Sequence, residues 1–286
     1  MRILLTGATG FVGSYVTREL QKAGHTVAVV SRSKGDYDWS EESLRKGVQE
    51  TDAVCHLAGE PIVGRWTASK KEEIRRSRVE TTSLLARLLA EKGSGTLVQA
   101  SAVGFYGDRG DEQLDETSAP GQGFLTDVCQ AWEDAAAPAR EAGIRVASVR
   151  IGVVLGADGG ALKLMKLPFQ LCLGGPLGSG KQWFPWIHVG DLARLFVHLL
   201  ETETAEGPYN GTAPVPVTNK DYSKTLGRVL GRPALLPAPA FAVRLALGEM
   251  ADMLLGGQRV DPKRTQAEGF TFQFTELEPA LRDLLS

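Results

Sequence analysis

Short apolar runs alternate with longer stretches of helical period along the first two thirds of this chain. Residues 3–6, 27–30, 53–57, 97–101 and 146–151 are aliphatic, rich in β-branched side chains and of strand length. Between them, residues 11–23, 67–91 and 124–142 repeat their apolar positions at helical spacing. The alternation predicts an α/β fold with a doubly wound parallel sheet, in which ligands gather beyond the carboxyl ends of the strands. The segments at those ends, 7–13, 31–34, 57–60 and 101–107, should therefore converge on one crevice. After Gly152 the texture changes. Seven glycines between 156 and 180, followed by Trp183-Phe184-Pro185-Trp186-Ile187-His188, suit loops closing over a ligand. A helix is expected over 189–201, with Asp191 helping to cap its start. From about residue 219 the pattern is helical, interrupted at Pro233, Pro237, Pro239, Pro262 and Pro279.

The first run leads directly into Gly7-Ala8-Thr9-Gly10-Phe11-Val12-Gly13. A strand, three glycines at this spacing and a following helix make a pyrophosphate site. Gly7 permits the tight turn, Gly10 lets the backbone approach the phosphates, and Gly13 lets helix and strand pack closely. The anion then sits at the positive helix N-terminus. The second strand ends in Ser31-Arg32-Ser33-Lys34, with no carboxylate before Asp36. A dinucleotide site for NAD places an acidic residue there to hold the ribose 2′-hydroxyl. An arginine suits the 2′-phosphate of NADP, which is the cofactor expected.

At 286 residues and a net charge of −2, the chain is long enough for a large core, and no lysine/arginine block forms a nucleic-acid stripe. Cys55, Cys129 and Cys172 are scattered and odd in number, which argues against disulfides and zinc and for a reducing compartment. No secretory leader is recognisable at the N-terminus, and the most apolar late stretch, 234–255, is too polar to span a bilayer. A cytoplasmic protein with neither a membrane nor a nucleic acid as partner is expected.

With Leu57-Ala58-Gly59, Ser101-Ala102-Val103-Gly104-Phe105-Tyr106-Gly107 and Trp186-Ile187-His188-Val189-Gly190-Asp191 added to the glycine motif, the chain resembles the extended short-chain dehydrogenases/reductases. More closely it resembles their atypical epimerase-family subgroup, through Ser77-Arg78-Val79-Glu80-Thr81-Thr82, Leu173-Gly174-Gly175-Pro176-Leu177-Gly178-Ser179-Gly180 and Phe184-Pro185-Trp186-Ile187-His188. The resemblance spans the chain, including the small domain of unknown function with which that subgroup ends. It implies a Rossmann domain binding NADP over 1–215, with a loop-rich substrate-lobe insertion at about 154–186, and a small, mostly helical C-terminal domain over 216–286. By motif, Gly7, Thr9, Gly10, Phe11 and Val12 would face the pyrophosphate, Ser31 and Arg32 the 2′-phosphate, and Leu57 and Ala58 the adenosine side. Glu73, Arg78 and Val153 match further positions that line the cofactor. The resemblance also suggests a homodimer through the helices flanking the crevice.

The catalytic pattern of that family is broken here. Its tyrosine acid/base and the lysine four residues later fall at Leu125 and Cys129, and its serine falls at Ala102. A phenol near pKa 10 needs a neighbouring cation before it exchanges protons at neutral pH, and leucine and cysteine supply neither group. Tyr106 and Ser101, at the end of the fourth strand, are the candidate substitutes. His188 reads as a hydrogen-bonded structural histidine. The expected function is an NADP(H)-dependent oxidoreductase or epimerase acting on an unidentified small molecule. The alternative is a catalytically silent NADP-binding sensor or regulator.

Overall fold

Six parallel strands form the central sheet: β1 (Arg2–Thr6), β2 (Thr26–Val30), β3 (Ala53–His56), β4 (Thr96–Ala102), β5 (Arg145–Ile151) and β6 (Gly207–Gly211). Their spatial order, β2-β1-β3-β4-β5-β6, reverses direction at β1. The ligand crevice of such a sheet lies at that switch point, above the ends of β1 and β3. The structure, a computed structural model, describes all of residues 1–286.

Period-two alternation assigns each strand residue its layer. Ile3 and Leu5 point to one face, where they meet α1 (Phe11–Lys22), α7 (Val189–Glu201) and the late aromatics Phe270 and Phe272. Leu4 points to the other, among α2 (Glu41–Gln49), α3 (Ala68–Lys92) and α5 (Ala137–Glu141). A third apolar cluster joins Phe184 and Trp186 to α8 (Asn219–Leu230) and α12 (Leu277–Leu285). The C-terminal part is thus packed into the same cores as the sheet domain. Between those two helices the chain forms the short α9 (Ala240–Leu247), α10 (Ala251–Leu255) and α11 (Lys263–Ala267).

Several elements differ from the sequence expectation. The helix expected over 124–142 is two helices, α4 (Phe124–Asp134) and α5, because Pro138 lacks an N–H and suits only a helix start. Residues 41–49 form α2, capped by Ser40, whose hydroxyl accepts from the Ser43 N–H. The glycine-rich stretch contains α6 (Gly160–Gln170) rather than loops alone. Strand β6 reads Gly-Pro-Tyr-Asn-Gly, which signals a turn. It forms at the sheet edge, where Pro208 is tolerated, with Tyr209 and Asn210 buried. His188, not Asp191, caps α7, accepting from the Gly190 N–H at 3.0 Å. The fully buried Asp191 carboxylate instead accepts from the Gln273 and Phe274 N–H groups and pairs with Arg194, tying the C-terminal part to α7.

Candidate functional site

The three glycines of the turn between β1 and α1 sit in different surroundings. Gly7 has φ +74°, and a Cβ there would lie 2.8 Å from the Leu57 carbonyl carbon. On Gly13 a Cβ would lie 2.0 Å from the Gly7 oxygen. Both residues are bare because backbone occupies the space. Gly10 differs: an added Cβ has only the Gly7 oxygen nearby, at 3.2 Å, and otherwise faces open space. Thr9 and Gly10 are exposed at the start of α1, whose first N–H groups have no side-chain cap. An open, uncapped helix N-terminus over a bare glycine fits a phosphate group. The Phe11 ring is wedged under the turn before α6, where a Cβ on Gly156 would lie 2.4 Å from it, so only the backbone of Phe11 is free for a ligand. Val12 packs on the core.

The end of β3 is bolted to the end of β1. The Thr6 hydroxyl accepts from the Leu57 and Ala58 N–H groups at 3.2 Å each and bonds His56 Nδ1 at 2.6 Å. His56 reaches the Thr81 hydroxyl on α3 through Nε2, and burial pushes its pKa down to about 3, so the ring is neutral. At the end of β2, the Ser31 hydroxyl accepts from the Ser33 and Lys34 N–H groups, and Arg32 is exposed and in no ion pair. Asp36 is committed elsewhere, accepting from the Val29 N–H at 2.8 Å. The end of β2 thus presents Arg32 with no free carboxylate from the same strand end.

Glu60 marks the convergence of the three strand ends. Its carboxyl is held below the usual range chiefly by its hydrogen bond to Lys70, with smaller contributions from Arg32 and Arg78. Arg78 itself is half-buried and forms no ion pair, and burial lowers its pKa. Its Nη1 donates to the Glu60 and Ile74 carbonyls at 3.0 Å each, and its guanidinium lies 5.0 Å from the Trp132 ring centre. Gly59 leaves it room, since a Cβ there would come 3.2 Å from the guanidinium carbon. Glu73 is exposed on α3 and its side chain makes no hydrogen bond, and Val153, just past β5, donates its N–H to the Pro185 carbonyl.

The β4–α4 wall holds Ser101 and Tyr106 behind the crevice rather than facing it. Tyr106 is fully buried: its hydroxyl donates to Asn210 Oδ1 at 2.7 Å and accepts from Arg150 at 3.1 Å. Burial pushes its pKa up to about 12. Ser101 is 2% exposed and donates to Glu133 at 2.6 Å. Glu133 also takes a two-point ion pair from Arg150, both contacts at 2.9 Å. Neither hydroxyl is open to a substrate. Sequence reasoning missed this network, although an arginine inside the apolar run Val146–Ile151 signals a charge that needs a buried partner. Leu125 and Cys129, expected from the sequence to stand at the tyrosine and lysine positions, pack against Gly104, and burial pushes the Cys129 thiol up to about 12.

The profile of the NAD dependent epimerase/dehydratase family matches residues 3–210, and that of a domain of unknown function, DUF1731, matches residues 238–284. The chain belongs to the NAD dependent epimerase/dehydratase family. It is 43% identical to the mouse epimerase family protein SDR39U1, covering all of both chains. It is also 43% identical to the chloroplastic SDR39U1 homolog of Arabidopsis thaliana, over all of this chain and 87% of that one. The crystal structure of human SDR39U1 (isoform 2) with NADPH superposes with a TM-score of 0.93 at 40% identity, over 99% of each chain. A UDP-N-acetylglucosamine 4-epimerase from Bacillus cereus shares the fold at 20% identity, with a TM-score of 0.80.

Proposed function

We propose that this chain binds NADP(H) in the crevice over β1 and β3 and acts as an oxidoreductase or epimerase on a small molecule, with Arg78 supplying the positive charge that a lysine on α4 supplies in the standard family pattern. The observation that carries the reading is the open face of Gly10 beside an unpaired Arg32, with Asp36 engaged elsewhere. The human relative solved with NADPH supports the cofactor choice. Bound there, the cofactor supplies a hydride donor or acceptor.

The case for Arg78 rests on location. Its guanidinium lies over Trp132, one helical turn beyond Cys129, and its field acts on the Cys129 thiol, where the family's lysine would begin. A half-buried cation with no carboxylate partner, its Nη1 already held by two carbonyls, has donors left for further oxygen ligands, which ribose hydroxyls or a substrate oxygen can supply. Ser101 and Tyr106 act in this reading as parts of the scaffold beneath that wall. Their enclosure also favours a second reading, an NADP-binding sensor without turnover.

Calorimetry with NADPH and NADH tests the cofactor choice that both readings share. NADPH should bind about 10- to 100-fold tighter, a charge-assisted contact to the 2′-phosphate being the cause, and Arg32→Asp should erase the difference. Equal affinities in the unaltered protein overturn the cofactor choice. Arg78→Met should weaken NADPH binding and Cys129→Lys in the same chain should restore it. A carbonyl-compound screen that finds no NADPH oxidation by a protein that binds it tightly decides for the sensor.

A further inference from the structure

Eight of the eleven large apolar side chains left exposed fall in two short segments, 164–173 and 235–245. Helix α6 carries two apolar stripes. Leu162, Met165 and Phe169 face the protein, while Leu164 and Leu167, continued by Leu171 one turn on, face solvent. Helix α9 is apolar all round except for Arg244, yet buries only Val243 and leaves Phe241 and Leu245 each 75% exposed. A helix of that composition ordinarily lies in a core. The two segments are stitched together: the Leu236 N–H donates to the Gly174 carbonyl, and the Gly178 N–H donates to the Ala238 carbonyl. Arg65, on the loop after β3, ties α9 to the sheet domain by donating to the Leu245 carbonyl at 3.0 Å.

Charge distinguishes this surface from the rest of a chain whose net charge is −2. No aspartate or glutamate occurs between Asp158 and Asp191, or between Asp221 and Glu249. Lys163 and Lys166 flank the exposed leucine stripe of α6, and Arg232 precedes α9; none of the three is in an ion pair. The carboxylates that follow or precede the two segments most closely are occupied, Asp158 with the Tyr15 hydroxyl, Glu249 with Lys71 and Asp252 with Arg244.

From these observations we infer that the α6–α9 face docks on an anionic lipid surface, its leucines and phenylalanine entering the interface and its free cations meeting the headgroups. Leucines and an aromatic ring beside unpaired lysines, without acidic residues, are the marks of an element that lies in a membrane interface. The expectation of no membrane partner came from the lack of a spanning segment, and no helix is long and apolar enough to cross a membrane. Lying on a bilayer needs no such helix. The inference does not depend on the cofactor reading.

Sedimentation of the full chain with vesicles tests it. Vesicles containing roughly one third phosphatidylglycerol should carry the protein down, while phosphatidylcholine vesicles should bind it at least about 10-fold less. Lys163→Gln with Lys166→Gln should weaken the anionic binding about 30-fold, each headgroup contact being worth about 1 kcal/mol. Phe241→Ser with Leu245→Ser should weaken it as well. Lys163, Phe241 and Leu245 are exposed and Lys166 is only partly buried, so both variants should keep wild-type melting and NADPH affinity. No sedimentation with either vesicle overturns the proposal, as does equal binding to both. A wild-type dimer in solution that Phe241→Ser with Leu245→Ser makes monomeric, with no vesicle binding, overturns it in favour of a second copy as the occupant.

Discussion

At the end of β1 the backbone is bare and faces open space, whereas at the end of β4 the hydroxyls and charges are already bonded to one another. The first wall has Gly10 open, Arg32 unpaired and the α1 N-terminus uncapped. The second has Ser101, Tyr106, Glu133 and Arg150 joined in one buried network. An unsatisfied group at a surface is an invitation to a ligand, while a satisfied buried network fixes a scaffold. On the proposed reading, the first wall is the part of the crevice that binds and the second the part that supports.

The largest effect that could break this comparison concerns glycines three residues apart. Gly13→Val should prevent folding, because the new side chain meets the Gly7 backbone and neither strand nor helix can yield without losing the turn. Gly10→Val should leave melting near wild type and abolish NADPH binding, because the side chain fills ligand space. Circular dichroism melts and NADPH fluorescence read the two properties separately. If both variants fold and bind alike, the glycines have no division of labour.

That division was legible in the sequence because backbone geometry restricts residue type: a turn at φ +74° and a 2.0 Å approach admit only glycine. The strands β1 to β5 were legible for a similar reason, since a buried parallel strand is a continuous apolar run. Other features were set by long-range packing. Nothing local in Gly207-Pro208-Tyr209-Asn210-Gly211 marks a strand; it forms because the edge of β5 and the partners of Asn210, Tyr106 and Asp261, are already in place. The sequence also raised the expectation that the tyrosine and lysine of the family pattern are replaced by Leu125 and Cys129. It could not show that Tyr106 is sealed, because its seal consists of Arg150 and Asn210, distant in the chain and brought together only by the sheet.

A smaller effect sharpens the scaffold half. Glu133→Gln keeps the shape of the side chain but leaves the Arg150 guanidinium buried without its counter-charge. Breaking a buried pair in this way costs about 3–5 kcal/mol, so denaturant midpoints should fall substantially. NADPH affinity measured well below the new midpoint should be nearly unchanged. A loss of cofactor binding with stability intact would place Glu133 on the ligand side of the crevice.

The smallest effect is the most discriminating. Tyr106→Phe removes one hydroxyl that donates to Asn210 and accepts from Arg150, and leaves the ring packing in place. Two buried partners then lose a contact, which should lower stability by about 1–3 kcal/mol. A proton-transfer residue would behave otherwise. Its removal should leave stability almost untouched and reduce kcat by about 10²- to 10⁴-fold once a substrate is in hand. The pH dependence adds a second reading of the same variant. With its pKa pushed up to about 12, the Tyr106 phenol stays protonated throughout the neutral range, so the wild-type and Tyr106→Phe profiles of any turnover should coincide between pH 6 and about 9. A rate-limiting ionisation that appears in the wild type and vanishes in Tyr106→Phe would move this tyrosine from the scaffold to the chemistry, and with it the boundary between the two walls.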